Sequence, residues 1–233
     1  MSKKEPIIKR VKAASLVLDF NLYPRGTVDS QRVGYLVEAL IAGDKLPPVI
    51  ADSKSKRVID GFHRDKAAIR FEGEDAEIDV EFRYYKNEAE MLLEAAELNA
   101  RHGKPLDRHD RVHFFLLAKQ QGISLDKVAT ALHTTPEKLE QLLDKRVAKS
   151  AKGGKGEPVA LKRTIEHMAG KTLTAGQQTA NKSLGGMTQV FIFNQAIRLL
   201  EEDLVNVANP HVIAAIDRLK LALKKFHAKN QKP

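Results

Sequence analysis

The chain has 233 residues with a formal charge of +9, no cysteine, no tryptophan and only 6% aromatic residues. That length suits one large domain or two or three small ones, and that charge points to acidic partners: nucleic acid, nucleotides or an anionic surface. Without cysteine there are no disulfides, thiolate zinc sites or thiol catalysis, which fits a reducing cytoplasm. With so few aromatics, base stacking on an aromatic platform is not expected as a main binding mode. The first residues lead into no long apolar run, so no signal peptide is expected. No stretch approaches the roughly 18 uncharged apolar residues of a membrane span, so no membrane partner is expected.

Residues 1–12 are basic and read as a flexible arm. Residues 13–20 (Ala-Ala-Ser-Leu-Val-Leu-Asp-Phe) read as a first strand, followed by a turn at Tyr23-Pro24-Arg25-Gly26. From Asp29 a helix is predicted, with Val33, Leu36, Val37, Leu40 and Ile41 at helical spacing. Gly43 ends it, and Pro47-Pro48 prevents its resumption. Residues 49–51 and 57–59 form a predicted hairpin, and a helix follows Asp60-Gly61 to about Phe71. Ile78 to Tyr84 alternates apolar and charged residues as a half-buried strand does, and Glu88 to about Arg101 is a strong helix.

From 106 to 146 strand signals stop. Three helices are predicted: Asp107–Gln121 ending at Gly122, Leu125–Leu132 capped by Ser124, and a third from Pro136 to about Arg146 with Thr135 as its cap. The last two, separated by a short turn, read as a helix-turn-helix. Lys149 to Pro158 has the Gly, Lys and Ser of a linker. Between Lys145 and Lys171 there are eight Lys or Arg against Glu157 and Glu166, a run suited to lie along phosphates or simply to stay solvated. Two apolar helices, 187–207 and from Pro210 onward, read as a hairpin with too little core of its own. A homodimer through it is expected. The expected domains are therefore 1–103, 104–148, a basic linker region at 149–186, and the hairpin at 187–233. The expected fold class is α+β with an all-α middle and C-terminus.

The segment of greatest chemical interest is Val58-Ile59-Asp60-Gly61-Phe62-His63-Arg64-Asp65-Lys66-Ala67-Ala68. Gly61 permits a tight turn, after which backbone N–H groups of a new helix point outward unpartnered. Arg64 can fork onto an anion there, or pair with Asp60 or Glu97. His63 can donate, act as a base, or cap the helix. Asp60 is a candidate base, metal ligand or helix cap. Asp60, His63, Asp65, Glu72 and Asp75 superficially resemble a metal cluster, but no ligand spacing supports one, and no metal site is predicted.

These pieces, in this order, resemble the ParB family. Leu46-Pro47-Pro48-Val49-Ile50 is similar to the family's strand entry. Ile59 to Ala68 is similar to its phosphate motif in an Asp-Gly-x-His-Arg variant, and Glu97-Leu98-Asn99-Ala100-Arg101 to its second nucleotide-contact motif. A helix-turn-helix follows at the expected distance. The resemblance covers roughly residues 13–146. It implies a ParB/sulfiredoxin-like N-terminal fold, a cytoplasmic DNA-binding protein of plasmid or phage partition or transcriptional regulation, and control by CTP or ATP with Mg²⁺, with NTP hydrolysis left open. It places phosphate contacts at Gly61, His63, Arg64, Asn99 and Arg101. Contacts to double-stranded DNA are expected from Ser124, Thr134, Thr135, Lys138, Gln141, Lys145 and Arg146. Two family activities remain as alternatives, a free-serine-type kinase and a nuclease. Sulfiredoxin chemistry is excluded because Phe62 stands where its cysteine would be.

Overall fold

The computed structural model describes residues 7–101, 105–151 and 156–230. It is α+β and divides into two units, residues 1–184 and 185–233.

The first unit opens with strand β1 (Ile7–Lys12), paired antiparallel along its length with β4 (Glu77–Arg83). The sheet order is β1-β4-β2-β3, with β2 (Val49–Asp52) and β3 (Val58–Asp60) as the predicted hairpin and β2 parallel to β4. The strand expected at 13–20 is not there. It lies earlier, within the segment read as an arm, while 13–15 form a 3-10 turn. β1 is an edge strand, where Lys and Arg are tolerated because one row of groups faces water. Its cations find acids on the neighbouring segments, Arg10 on Glu77 at 3.3 Å and Lys12 on Asp75 at 2.7 Å. Residues 1–6 of the expected arm lie outside the described residues.

Helix α1 (Ser30–Ile41) starts where Asp29 accepts the N–H groups of Gln31 and Arg32. Helix α2 (Phe62–Glu72) follows β3 directly, and α3 (Glu88–Arg101) follows β4. Alternation along β2 and β3 splits burial between two cores. Val49, Ala51 and Val58 pack with Tyr23, Phe62 and Val80, whereas Ile50 and Ile59 pack with Leu92, Ala95 and Ala96 of α3.

The three predicted middle helices form as α4 (Arg108–Gln120), α5 (Leu125–Ala131) and α6 (Pro136–Arg146). Phe114, Ala118, Val128, Leu132 and Leu139 join the same core as Ile50, Ile59 and α3. The boundary expected at 103/104 therefore separates no two cores.

The expected linker is folded. β5 (Val147–Ser150), β6 (Pro158–Ala160) and β7 (Thr172–Leu173) make a second sheet in the order β6-β5-β7, closed by helix α7 (Ala175–Ser183). Its core is Ala148, Leu161 and Leu173 with Val159, Ile165 and Met168 against them. Strands of two to four residues are too short to show a period, so the intervening Lys and Gly dominate the sequence pattern. Lys162 Nζ donates to the carbonyls of Lys182 and Leu184, capping α7, and Asn181 bridges Lys162 N and the Ala160 carbonyl. Residues 152–155 lie outside the described residues.

In the second unit, α8 (Gln189–Glu201) and α9 (Pro210–Asn230) are the two predicted helices, and neither has a buried residue. Val190, Phe193, Leu204, Leu221 and Phe226 are all more than half exposed.

One buried charge stands out. Asp65 on α2 is 1% exposed, and its Oδ2 has no partner among the described residues. Burial raises its carboxyl to about 6, above the usual carboxylate range. The folded form thus holds the proton more tightly than the unfolded chain, so this group's contribution is favourable at low pH and is lost as pH rises toward 6. Asp65→Asn is expected to raise stability by about 1–3 kcal/mol at about pH 8, and to have little effect near pH 4. Thermal unfolding at the two pH values checks this, and equal destabilisation at both refutes it.

Candidate functional site

The end of β3 places Asp60 and Gly61 at the foot of a cavity of about 560 Å³. Gly61 has φ +112°, and a Cβ there would lie 2.9 Å from Val49 Cγ2 and 3.1 Å from Arg64 Nε. Both backbone conformation and space require glycine. The missing side chain leaves room for Arg64 to fold back over the turn. Its Nη2 lies 2.5 Å from Asp60 Oδ2, and its Nη1 donates to the carbonyls of Pro47 (3.0 Å) and Pro48 (2.8 Å). Of the roles open to Arg64 in the sequence, the ion pair with Asp60 is the one that forms. Asp60, the candidate catalytic carboxylate, is engaged by the same contact.

His63 uses Nε2 to accept the N–H of Asp29 at 3.1 Å, fixing the start of α1 and placing any ring proton on Nδ1. Burial, then the nearby Arg32 and Arg25, lower its pKa to about 4. At neutral pH it is uncharged. Asn99 donates to the Ala95 carbonyl (2.8 Å) and accepts from Arg25 Nε (3.2 Å). Arg101 closes α3, and its side chain lies outside the described residues. The other acids considered as metal ligands disperse. Asp65 is buried in α2 and Asp75 pairs with Lys12. Among the described residues Asp107, His109 and Asp110 bring ligand atoms within 4.8 Å of one another, but the two carboxylates cap α4 reciprocally.

Four guanidinium groups line the cavity, from Arg25, Arg32, Arg64 and Arg83, against two carboxylates, Asp60 and Glu81. Arg83 pairs with Glu81 (2.7 Å) and Glu94. Arg25 reaches Asp110 at 3.4 Å. Arg32 has no carboxylate partner among the described residues. Tyr23, stacked on Phe62, adds a buried hydroxyl without a partner among the described residues. The cavity is thus a cationic site with an uncommitted guanidinium and an unmet hydroxyl, chemistry that suits a polyanion.

Neither Arg25 nor Arg32 was singled out in the sequence. A usable signal was present for Arg32. It occupies the first turn of a helix capped by Asp29, where the positive end of the helix dipole disfavours a cation unless an anion sits nearby.

In the middle helices, a four-residue turn with His133 at φ +49° joins α5 to α6, and Thr135 Oγ1 accepts Lys138 N at 3.3 Å. Ser124, Thr135, Lys138, Gln141 and Lys145 are exposed and Thr134 is half-buried. Arg146 is a correction. It is 4% exposed, pairs with Glu166 at 2.8 Å and donates to the Leu161 carbonyl, so its long side chain closes the seam between α6 and the second sheet and does not face solvent.

No family model matches the chain. A curated relative, the transcriptional regulator NovG of Streptomyces niveus, is 34% identical over 103 residues, which is 44% of this chain and 30% of that protein's length. Two similar solved structures are of the C-terminally truncated chromosome-partitioning protein ParB from Caulobacter crescentus. The one complexed to the centromeric parS site has 13% identity, covers 57% of this chain and 69% of that one, and has a TM-score of 0.41. The one complexed with CTP-γ-S has 12% identity, covers 58% and 76%, and has a TM-score of 0.36.

The geometry separates two arginines by experiment. Arg64→Ala strips Asp60 and two carbonyls of their partner and is expected to destabilise the fold by about 1–3 kcal/mol. Arg32→Ala is expected to change stability by less than about 0.5 kcal/mol yet abolish any rise in melting temperature produced by millimolar CTP. A CTP-induced shift retained in Arg32→Ala refutes this assignment.

Proposed function

We propose that the protein is a ParB-like DNA-binding regulator or partition factor that reads duplex DNA through a helix-turn-helix formed by α5 and α6. Its arginine-lined cavity binds a nucleotide polyphosphate. The observation that carries this reading is the exposed outer face of α6, whose inner face is anchored in the common core. Thr135, Lys138, Gln141 and Lys145 stand on that outer side, with the polar tips that base edges and phosphates require. NovG, named a transcriptional regulator, agrees with DNA as the partner.

CTP is the first nucleotide to test and ATP the second. Arg32 and the Tyr23 hydroxyl are the groups that would gain a partner on binding. Both carboxylates that line the cavity are already held by arginines, so a magnesium ion would enter with the phosphates and not on a protein carboxylate. The exposed apolar residues of α8 and α9 support pairing of two copies, which would present two reading units to paired half-sites. A cytoplasmic setting fits the lack of cysteine, and no helix among the described residues is long and apolar enough to cross a membrane.

Binding to labelled duplex DNA, followed by fluorescence anisotropy, is expected to weaken steeply with salt as counterions are released. Lys138→Ala with Lys145→Ala is expected to weaken binding at least about tenfold and to lower the salt slope by about two. Salt-independent binding, or a double variant that binds as the parent does, overturns the reading. Sedimentation is expected to show a dimer that Phe193→Glu with Leu200→Glu dissociates.

A further inference from the structure

Helix α6 runs into β5 without a loop, since Arg146 ends the one and Val147 begins the other. The second sheet is therefore carried at the C-terminal end of the helix proposed to read DNA. Two kinds of contact hold it there. Leu161 N donates to the Arg146 carbonyl at 2.7 Å, and the Arg146 side chain reaches back to the Leu161 carbonyl and to Glu166. Ala160 of β6 packs with Val112 and Leu116 of α4, and Leu142, Leu143 and Val147 close around them. A packed apolar seam with an ion pair across it fixes the sheet against α4 and α6, so the three present one rigid surface.

Cations gather at the rim of this seam. Arg108 stands one helical turn before Val112, so the two share a face of α4, and that face is the one packed on β6. Arg163 opens the 3-10 turn Arg163–Met168, two residues beyond the Leu161 that bonds Arg146. Both arginines are exposed, and neither has a carboxylate partner among the described residues. Their charges are felt at the buried Arg146. Burial lowers its pKa from the usual arginine value; Glu166 opposes this, Arg108 and Arg163 add to it, and Asp107 opposes it again. The acids nearby are already engaged: Glu166 by Arg146, Asp107 as the cap of α4 and Asp110 by Arg25. Lys162 is engaged as well, by the carbonyls that end α7. Arg108 and Arg163 are left as two exposed cations beside a buried third, and an anion at the rim relieves that repulsion.

We infer that Arg108 and Arg163 form a seat for the phosphate backbone of duplex DNA at the C-terminal end of α6, where the second sheet joins the reading helices. This rests on the DNA reading above and deepens it, because it assigns a role to a sheet outside the helix-turn-helix. The partner is a duplex and not a free anion for two reasons. Both arginines stand on an exposed rim, which gives a small anion no enclosure. The rim also adjoins the last turn of α6, which carries Lys145, and a helix lying in the major groove is flanked at its ends by sugar–phosphate strands. Contacts of this kind add affinity and register and carry no sequence preference.

The test follows the anisotropy of labelled duplexes of several sequences over a range of salt concentrations. It compares the parent chain with Arg108→Gln plus Arg163→Gln, with Arg108→Lys plus Arg163→Lys, and with Lys66→Gln plus Arg70→Gln, which removes the same charge from exposed positions on α2. Circular dichroism confirms that each variant is folded. The first pair is expected to weaken binding about tenfold or more on every duplex and to lower the salt slope by about two. The lysine pair is expected to keep the parent's slope, and the α2 pair to leave affinity within about twofold. A glutamine pair at the rim that binds as the parent does overturns the inference, as does an α2 pair that loses as much. Displacement of the duplex by millimolar inorganic phosphate at constant ionic strength marks a small-anion site and overturns it too. In each of these cases the helix-turn-helix reading stands if Lys138→Ala with Lys145→Ala still weakens binding. If the parent binds no duplex, the DNA reading fails and the inference with it.

Discussion

A guanidinium carries five N–H donors in a rigid plane and no acceptor, so an arginine that turns inward must find several oxygens at once. Arg64 finds three, from Asp60, Pro47 and Pro48. They belong to two pieces of the cavity: the end of β3 and the pair of prolines that leads into β2. The contact exists only because Gly61 adopts a left-handed conformation and has no side chain to block the return of Arg64. One glycine and one arginine therefore set the separation of the β3 end from the β2 entry, the start of α2 and the shape of the cavity floor. A lysine would satisfy the charge but not this fork.

That commitment moves the chemistry of the site elsewhere. With Arg64 neutralised by Asp60, Arg83 by Glu81 and Glu94, and Arg25 paired with Asp110, the cavity charge with no carboxylate partner among the described residues is that of Arg32. His63 adds no charge, because burial, Arg32 and Arg25 keep it neutral well below physiological pH. Its contribution is geometric: it anchors the N–H of Asp29 and thereby the first turn from which Arg32 projects. The Asp-Gly-x-His-Arg segment thus builds the cavity, and residues some thirty positions earlier in the chain supply the charge that a phosphate would meet.

What the sequence revealed follows the length and capping of each element. α1, α4 and α6 carry their caps in plain view at Asp29, Asp107 and Thr135-Pro136, and the β2–β3 hairpin is bounded by turn residues. The second sheet was hidden because its strands are shorter than one detectable period, and β1 because edge strands tolerate the charges that mark flexible arms. Arg146 looked like a phosphate contact since it ends a helix beside other cations. Its partner Glu166 is twenty residues away, and the seam they close exists only in three dimensions. The same limit applies to Arg64, where Asp60 is visible at helical spacing but the two proline carbonyls are not.

The distribution of charge sharpens the division of labour. The exposed side of α6 carries Glu137, Glu140 and Asp144 against Lys138 and Lys145, so this helix is not itself a strong attractor of phosphate. Phosphate contacts set affinity and register, whereas base-edge contacts set sequence preference. On the proposed reading α6 is weighted toward preference: its acids penalise misplaced docking against the backbone, and its Thr135 and Gln141 hydroxyl and amide groups address base edges. The affinity must then come from cations elsewhere, and the chain supplies them on the folded 147–184 segment, at Lys149, Arg163 and Lys171, and on α9 at Arg218, Lys220, Lys224, Lys225 and Lys229. A reader of this kind gains little from a single weak helix and much from two engaged together, since linked half-site contacts multiply. Exposed apolar faces on α8 and α9 are the features of the chain that would bring two copies into register.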